Sequence, residues 1–220
     1  MAIPKTIYQT FNTTRLPWLT KWHIYQMKKL NPEYSYEFFD DSRISSFIYE
    51  EYGENVLALY DKLYIGAAKA DFFRYAVLYR KGGVYLDIDS LFKVKLDTFI
   101  LPEDHAIIAF EKSEEFYIQF ALFYEAGHPF LKKALDIIMD NILANRYPHD
   151  VHKMTGPSAY TLAIHECIRE SGETGYRQVG VDYDHSVKFS YPMSKTFLYG
   201  ISRKNHWRRI SKTKGVLKPD

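Results

Sequence analysis

The chain has 220 residues, enough to bury a sizeable core within one domain. Apolar residues make up 46% and charged residues 25%, which excludes a disordered chain. No apolar run reaches the ~18 residues of a membrane span, and the single cysteine, Cys167, excludes a disulfide framework and a cysteine-based zinc site.

Residues 3–10 read as a first strand, followed by a polar turn at Asn12, Thr13 and Thr14. Pro17 opens a helix that stops at Leu30, before Asn31-Pro32. The aromatic run 34–39 is a second strand, and Asp40, Asp41 and Ser42 can cap the helix after it. Gly53 interrupts, and 54–63 continues helically. The Ala-rich segment 67–81 is a helix ended by Gly82-Gly83. A strand over 84–89 follows, then strands over 106–110 and 117–124. Residues 129–144 carry apolar side chains at helical spacing, and Gly156-Pro157 opens one more helix to Ile168. Short aromatic strands are expected between Tyr176 and Tyr199, and Trp18 and Trp22, four apart on the first helix, are expected to pack. The alternation predicts a single α/β domain over 1–220 with a mostly parallel central sheet. The formal charge is +2, yet nine of the 29 Lys/Arg and only one of the 27 acids fall from about residue 188 onward. A basic end on an acidic body suits an anionic ligand or surface.

The chemistry concentrates at Gly82-Gly83-Val84-Tyr85-Leu86-Asp87-Ile88-Asp89. On a strand, residues two apart point to one side, so Asp87 and Asp89 can converge. Two carboxylates at a strand's C-terminal end make a hard anionic site for Mn²⁺ or Mg²⁺, and such a cation suits a diphosphate. Ending an apolar strand in two acids is costly unless something neutralises them. The pair Asp182-Tyr183-Asp184 has the same spacing without that setting and reads as a loop. On the preceding helix Asp71 and Arg74 share a face three residues apart. As an exposed ion pair they would contribute only ~0.3–0.5 kcal/mol. Their neighbours are apolar nearly all round, so the helix is expected to be buried and the pair to serve a pocket.

These segments together, with 3–10, Asn31-Pro32-Glu33-Tyr34, 70–75 and 82–89, resemble the DXD-motif glycosyltransferases related to the yeast outer-chain-initiating mannosyltransferase. The order Asp-x-x-Arg, then Tyr-x-Asp-x-Asp, is also similar to the catalytic domain of the large clostridial glucosylating toxins. Met154-Thr155-Gly156-Pro157-Ser158 resembles a later family segment, and His206-Trp207 stands where members place a late His and Trp. The resemblance implies a GT-A fold and a metal-dependent retaining transfer of a hexose from a UDP-sugar or GDP-mannose to a glycan or other hydroxyl acceptor. It implies that Asp89 holds the metal, with Asp87 and His206 as further ligands. It also implies that Asp71 and Arg74 hold the donor sugar, that Tyr85 and Asp87 lie against the nucleotide, and that Gln9 and Thr10 border the base. Tyr8 and Phe11 depart from the family's usual His and Trp.

A haloacid-dehalogenase-like phosphatase would carry its Asp-x-Asp at the end of the first strand, and here the motif lies far inside the chain. A non-catalytic nucleotide-sugar-binding module would keep the same pocket without turnover. No nucleic-acid signature is present. No leader pattern precedes the first strand, so the expected compartment is cytoplasmic, with peripheral membrane contact through the basic C-terminal segment.

Overall fold

A computed structural model describes residues 2–171, 175–199 and 215–219. In chain order the first half holds β1 (Thr6–Thr10), α1 (Trp18–Leu30), β2 (Ser35–Phe39), α2 (Asp41–Tyr52), α3 (Glu54–Lys62), α4 (Gly66–Lys81) and β3 (Gly83–Leu86). The second half holds β4 (Leu91–Phe92), α5 (Leu96–Phe99), β5 (Ala106–Ala109), β6 (Ala121–Tyr124), α6 (Pro129–Leu143), α7 (Val151–Met154), α8 (Pro157–Ser171), β7 (Arg177–Val179) and β8 (Val187–Lys188), with a last short helix over Ser194–Tyr199.

The six-stranded sheet has the order β2-β1-β3-β6-β5-β7. β1 lies parallel to both β2 and β3, with Ile7 opposite Tyr36 and Val84. β6 alone runs against its neighbours β3 and β5, while β7 is parallel to β5. The α/β, mostly parallel architecture expected from the sequence is therefore present. The lone reversed strand was not legible, because β6 is buried throughout and shows no alternation.

The strand pleat divides the core into two layers. Tyr8, Tyr85, Ile108, Leu122 and Tyr124 face α4, α6 and α8. Ile7, Val84, Leu86, Ile107 and Phe123 face the other side, with Met27 of α1 and Leu96 of α5. α4 is apolar nearly all round because it lies under the first layer: Phe72, Phe73, Tyr75, Val77 and Leu78 are fully buried. Asp40 caps α2, its carboxylate accepting from the Arg43 amide at 2.9 Å.

The turn from α4 into β3 requires glycine. Gly82 and Gly83 have φ of +62° and +108°. A Cβ on Gly83 would lie 2.7 Å from the Thr6 carbonyl oxygen of β1. This close approach sets β3 beside β1 and aims its end at the site.

Several expected elements differ. β3 stops at Leu86, and Asp87-Ile88-Asp89 forms a turn closed by a bond from the Ser90 amide to the Asp87 carbonyl, 2.9 Å. The strand expected from 117 begins at Ala121, because the Tyr117 amide is taken by the Thr161 hydroxyl at 2.9 Å. Between 176 and 199, β7 and β8 are joined by a left-handed turn with positive φ from Asp182 to His185, and a helix follows. Buried Tyr183 anchors that turn through a 2.7 Å bond from its hydroxyl to the Ala121 carbonyl. Trp18 and Trp22 are exposed rather than packed. Among the described residues no helix is long and apolar enough to cross a membrane.

Candidate active site

The Asp87–Asp89 turn sits where β3 ends, in the middle of the sheet, between the strands that carry Gln9 and Ala121. Its backbone is held from both sides. The Asp87 amide donates to the Phe120 carbonyl at 2.8 Å, and the Gln9 side-chain amide donates to the Asp87 carbonyl at 3.2 Å. Gln9 is itself oriented by the Tyr36 hydroxyl at 3.1 Å. The antiparallel pair β4–β8 brings the 187–191 segment over the turn. There the Tyr191 amide donates to the Asp89 carbonyl at 2.9 Å, and the Ser90 hydroxyl donates to the Phe189 carbonyl at 2.6 Å.

Beneath the turn lies a buried charge network centred on Arg74. One guanidinium nitrogen lies 3.2 Å from the Asp71 carboxylate and 3.1 Å from that of Asp87. The other donates to the Gln119 carbonyl at 2.6 Å, and Nε donates to the Ala70 carbonyl at 3.3 Å. The guanidinium rests over the Tyr85 ring, 4.8 Å from its centre, and the Tyr85 hydroxyl donates to Asp87 at 2.9 Å. This is not the exposed helix pair worth a few tenths of a kcal/mol. Arg74 and Asp71 are both buried, and Arg74 ties α4 to the Asp87–Asp89 turn and to the segment just before β6. Burial opposes the charge of Arg74, but Asp87, Tyr85 and Asp71 outweigh it and push its pKa further up.

The carboxylates also shift upward, which for an acid disfavours the charged form. Burial pushes Asp71 up to about 7, against the pull of Arg74 and Thr155. Burial also raises Asp87, opposed by Arg74 and the Tyr85 hydroxyl. Asp89 rises to about 7 through burial and then through repulsion from Asp87, with Lys195 and Arg74 only partly compensating. Asp87 thus has its cation in Arg74. Asp89, 8% exposed, has no ion pair among the described residues. An under-compensated carboxylate beside a second carboxylate whose side chain is 24% exposed is a fit for a divalent cation. Among the described residues no group of three or more His, Cys, Asp or Glu could hold a metal. Two acids suffice where a substrate diphosphate and water supply the remaining oxygens, as is usual for Mg²⁺-type sites.

The structure therefore brings Gln9, Asp71, Arg74, Tyr85 and Asp87 into one hydrogen-bonded unit with Asp89 against it. Thr10 is not part of it; its hydroxyl is spent on the Phe39 carbonyl at 2.8 Å. Tyr85 is buried under the turn, with its hydroxyl on Asp87. His206 and the basic residues Arg203, Lys204, Arg208, Arg209 and Lys212 lie outside the described residues.

Three contributors were missed from the sequence. Gln119 receives Arg74 through its carbonyl and the Tyr75 hydroxyl through its side chain at 2.6 Å. Lys195 places positive charge near Asp89. Thr155, buried at the end of α7, donates to Asp71 at 3.0 Å from 84 residues away. Only its Thr-Gly-Pro context marked it. Thr155→Val should destabilise the fold by about 1–3 kcal/mol, the cost of leaving a buried carboxylate oxygen without its donor. Thr155→Ser should restore most of it, as read from urea unfolding midpoints. Equal midpoints for wild type and Thr155→Val would remove Thr155 from the network.

Residues 19–114 match a protein family described as the glycosyltransferase sugar-binding region containing the DXD motif. The chain is 43% identical over 72 residues to an uncharacterized glycosyltransferase, L373, of Acanthamoeba polyphaga mimivirus, covering 33% of this chain and 29% of the relative. It is 39% identical over 90 residues to inositol phosphoceramide mannosyltransferase 3 of Schizosaccharomyces pombe, covering 40% and 24%. It is 33% identical over 96 residues to that organism's initiation-specific alpha-1,6-mannosyltransferase, covering 40% and 23%. The chain thus spans under a third of the length of these relatives. Among solved structures, the PaToxG glycosyltransferase superposes with a TM-score of 0.64 at 21% identity, covering 76% of this chain and 70% of that one. The UDP-bound glycosyltransferase domain of the YGT toxin superposes with a TM-score of 0.56 at 11% identity, covering 81% and 80%. The fold is that of these toxin glycosyltransferase domains, of the GT-A kind.

Proposed function

We propose that the chain, whose residues 19–114 match the glycosyltransferase sugar-binding region containing the DXD motif, is a member of that family and a metal-dependent, retaining glycosyltransferase. It moves a hexose from a nucleotide-sugar donor, a UDP-sugar or GDP-mannose, to a glycan or other hydroxyl acceptor. The observation that carries this reading is the Asp89 carboxylate, buried and under-compensated, next to an Asp87 already neutralised by Arg74.

In this reading Asp89 and Asp87 hold Mn²⁺ or Mg²⁺. When bound, the cation supplies Lewis-acid neutralisation of the leaving diphosphate. Arg74 locks Asp87 in place and contributes fixed positive charge from below. Asp71 and Arg74 form the floor under the donor sugar. Gln9 and Tyr85 position the turn rather than meeting the base, since Gln9 donates to the Asp87 carbonyl and accepts from the Tyr36 hydroxyl, and Tyr85 spends its hydroxyl on the Asp87 carboxylate. Lys195, whose charge acts on Asp89, would add positive charge beside the diphosphate. The single-domain organisation over 1–220, and closure of that segment over the donor with His206 as a further ligand, belong to the same proposal.

The test is a thermal-shift screen of UDP-glucose, UDP-galactose, UDP-N-acetylglucosamine and GDP-mannose with and without Mn²⁺, followed by turnover of the best binder. A ligand at a hundred times its Kd should stabilise by about 2.7 kcal/mol. Stabilisation by one base class only in the presence of Mn²⁺, followed by release of nucleoside diphosphate, supports the enzyme. Binding without turnover on any acceptor or water points to the non-catalytic module. No shift with any donor, or shifts unchanged by EDTA, would overturn the metal-diphosphate site.

A further inference from the structure

We infer that α1 is a docking face for an anionic lipid bilayer, on a helix packed against the segment that holds the Asp87–Asp89 turn. Trp18, Trp22, Tyr25 and Lys29 are spaced by four, three and four residues, so they form one stripe along the helix. All of that stripe is exposed, with Trp18 at 69%, Trp22 at 49% and Tyr25 at 60%. The opposite face supplies the anchor, where Thr20 and Met27 are buried. Lys21 and Lys28 are exposed alongside the stripe. No Asp or Glu precedes Glu33 in the chain, so the positive charge of α1 has no acid on its own helix.

Large aromatic side chains are a costly thing to leave in water. Their amphipathic rings are at home in the headgroup region of a bilayer, and lysines beside them match its anionic lipids. Two other occupants fit less well. A second copy would bring one uncompensated lysine stripe against another. A single-stranded nucleic acid needs a groove that tracks its backbone, and this stripe is the outer face of a helix.

The stripe is coupled to the site through short contacts. The Thr20 hydroxyl meets that of Tyr191 at 2.7 Å, His23 stacks on the Tyr191 ring at 4.0 Å, and the Tyr191 amide holds the Asp89 carbonyl. Trp18 meets Phe197 of the last described helix edge-on at 6.1 Å. A bilayer seated on α1 would therefore lie against the elements that close over the catalytic turn.

The experiment is co-sedimentation of the full chain with phosphatidylcholine vesicles, with and without phosphatidylserine, at low and high salt. No donor or acceptor is present, so the result does not depend on the transfer reaction. The wild type should pellet with phosphatidylserine vesicles and lose most of that binding in high salt. Lys21→Ala with Lys29→Ala should lower the partition coefficient by about twenty-fivefold, at about fivefold per lysine. Trp18→Ser with Trp22→Ser should lower it at least tenfold, and melting temperatures should hold because the substituted side chains are exposed. Four results would overturn the inference: no vesicle binding by the wild type; binding as tight as wild type by both double variants; self-association that the tryptophan variant abolishes; or retention on an oligonucleotide in place of vesicles.

Discussion

Asp89→Asn should lower turnover by at least about a hundredfold, the least that several kcal/mol of lost leaving-group neutralisation would cause. Without metal the variant should melt no lower than the wild type does without metal. The two halves of this expectation have one cause. Burial and the neighbouring Asp87 both disfavour the ionised Asp89 carboxyl and push it up to about 7. A neutral amide of nearly the same shape removes that penalty and keeps the side chain's volume. It also removes a charged oxygen ligand, so the stabilisation that Mn²⁺ and nucleoside diphosphate give the wild type should disappear. Thermal melts with and without Mn²⁺ and UDP or GDP, beside initial rates, read both halves. A variant that keeps wild-type rates, or keeps the Mn²⁺-dependent shift, would take Asp89 out of the metal site. A variant that merely unfolds would show lower melting without metal.

The sequence pointed to this turn for a partly mistaken geometric reason. The apolar run ending in two acids was visible, and so was the helix that carries Asp71 and Arg74. The convergence of Asp87 and Asp89 was expected from the pleat of a strand, yet the strand ends at Leu86 and the turn brings the two together. Strand ends depend on where neighbouring chains stop offering partners, and here Phe120 and Gln9 take over the Asp87 backbone. Those partners come from 33 residues downstream and 78 upstream, beyond any local pattern. The bond from Thr155 to Asp71, 84 residues away, was unreadable for the same reason, although the Thr-Gly-Pro segment itself stood out. The spacing of Trp18 and Trp22 was read as packing, but a four-residue interval marks a shared helix face without saying whether that face is covered. The side carrying Thr20 and Met27 turns inward instead, because it meets Tyr191 and the second core layer. The phosphatase alternative weakens on topology: the motif follows the third strand of the chain, not the first.

Arg74→Ala should be the most destabilising single change in the site. The loss is expected at about 3–5 kcal/mol, the range for breaking a buried ion pair from one side. That is a large share of the about 5–15 kcal/mol that holds a typical domain together. For a chain of this size it corresponds to a fall of roughly 6–20 °C in melting temperature. Three things go wrong together. Asp71 and Asp87 lose the cation they share, the Gln119 carbonyl loses its donor, and the Tyr85 ring loses the guanidinium packed over it. Arg74→Lys should recover only part, because one ammonium cannot span two carboxylates and two carbonyls as the planar fork does. The contrast is Asp150–Lys153, also three residues apart, between the N-cap of α7 and its third residue, at 3.9 Å and largely exposed. Lys153→Ala there should cost no more than about 0.5 kcal/mol. A second variant separates an unpaired buried charge from a merely lost contact. Adding Asp71→Asn to Arg74→Ala removes one of the stranded carboxylates, so the double variant should melt above Arg74→Ala alone. If Asp71→Asn instead lowers the melting temperature further, or if Arg74→Ala melts as mildly as Lys153→Ala, the network beneath the turn does not hold the site in the way its geometry implies.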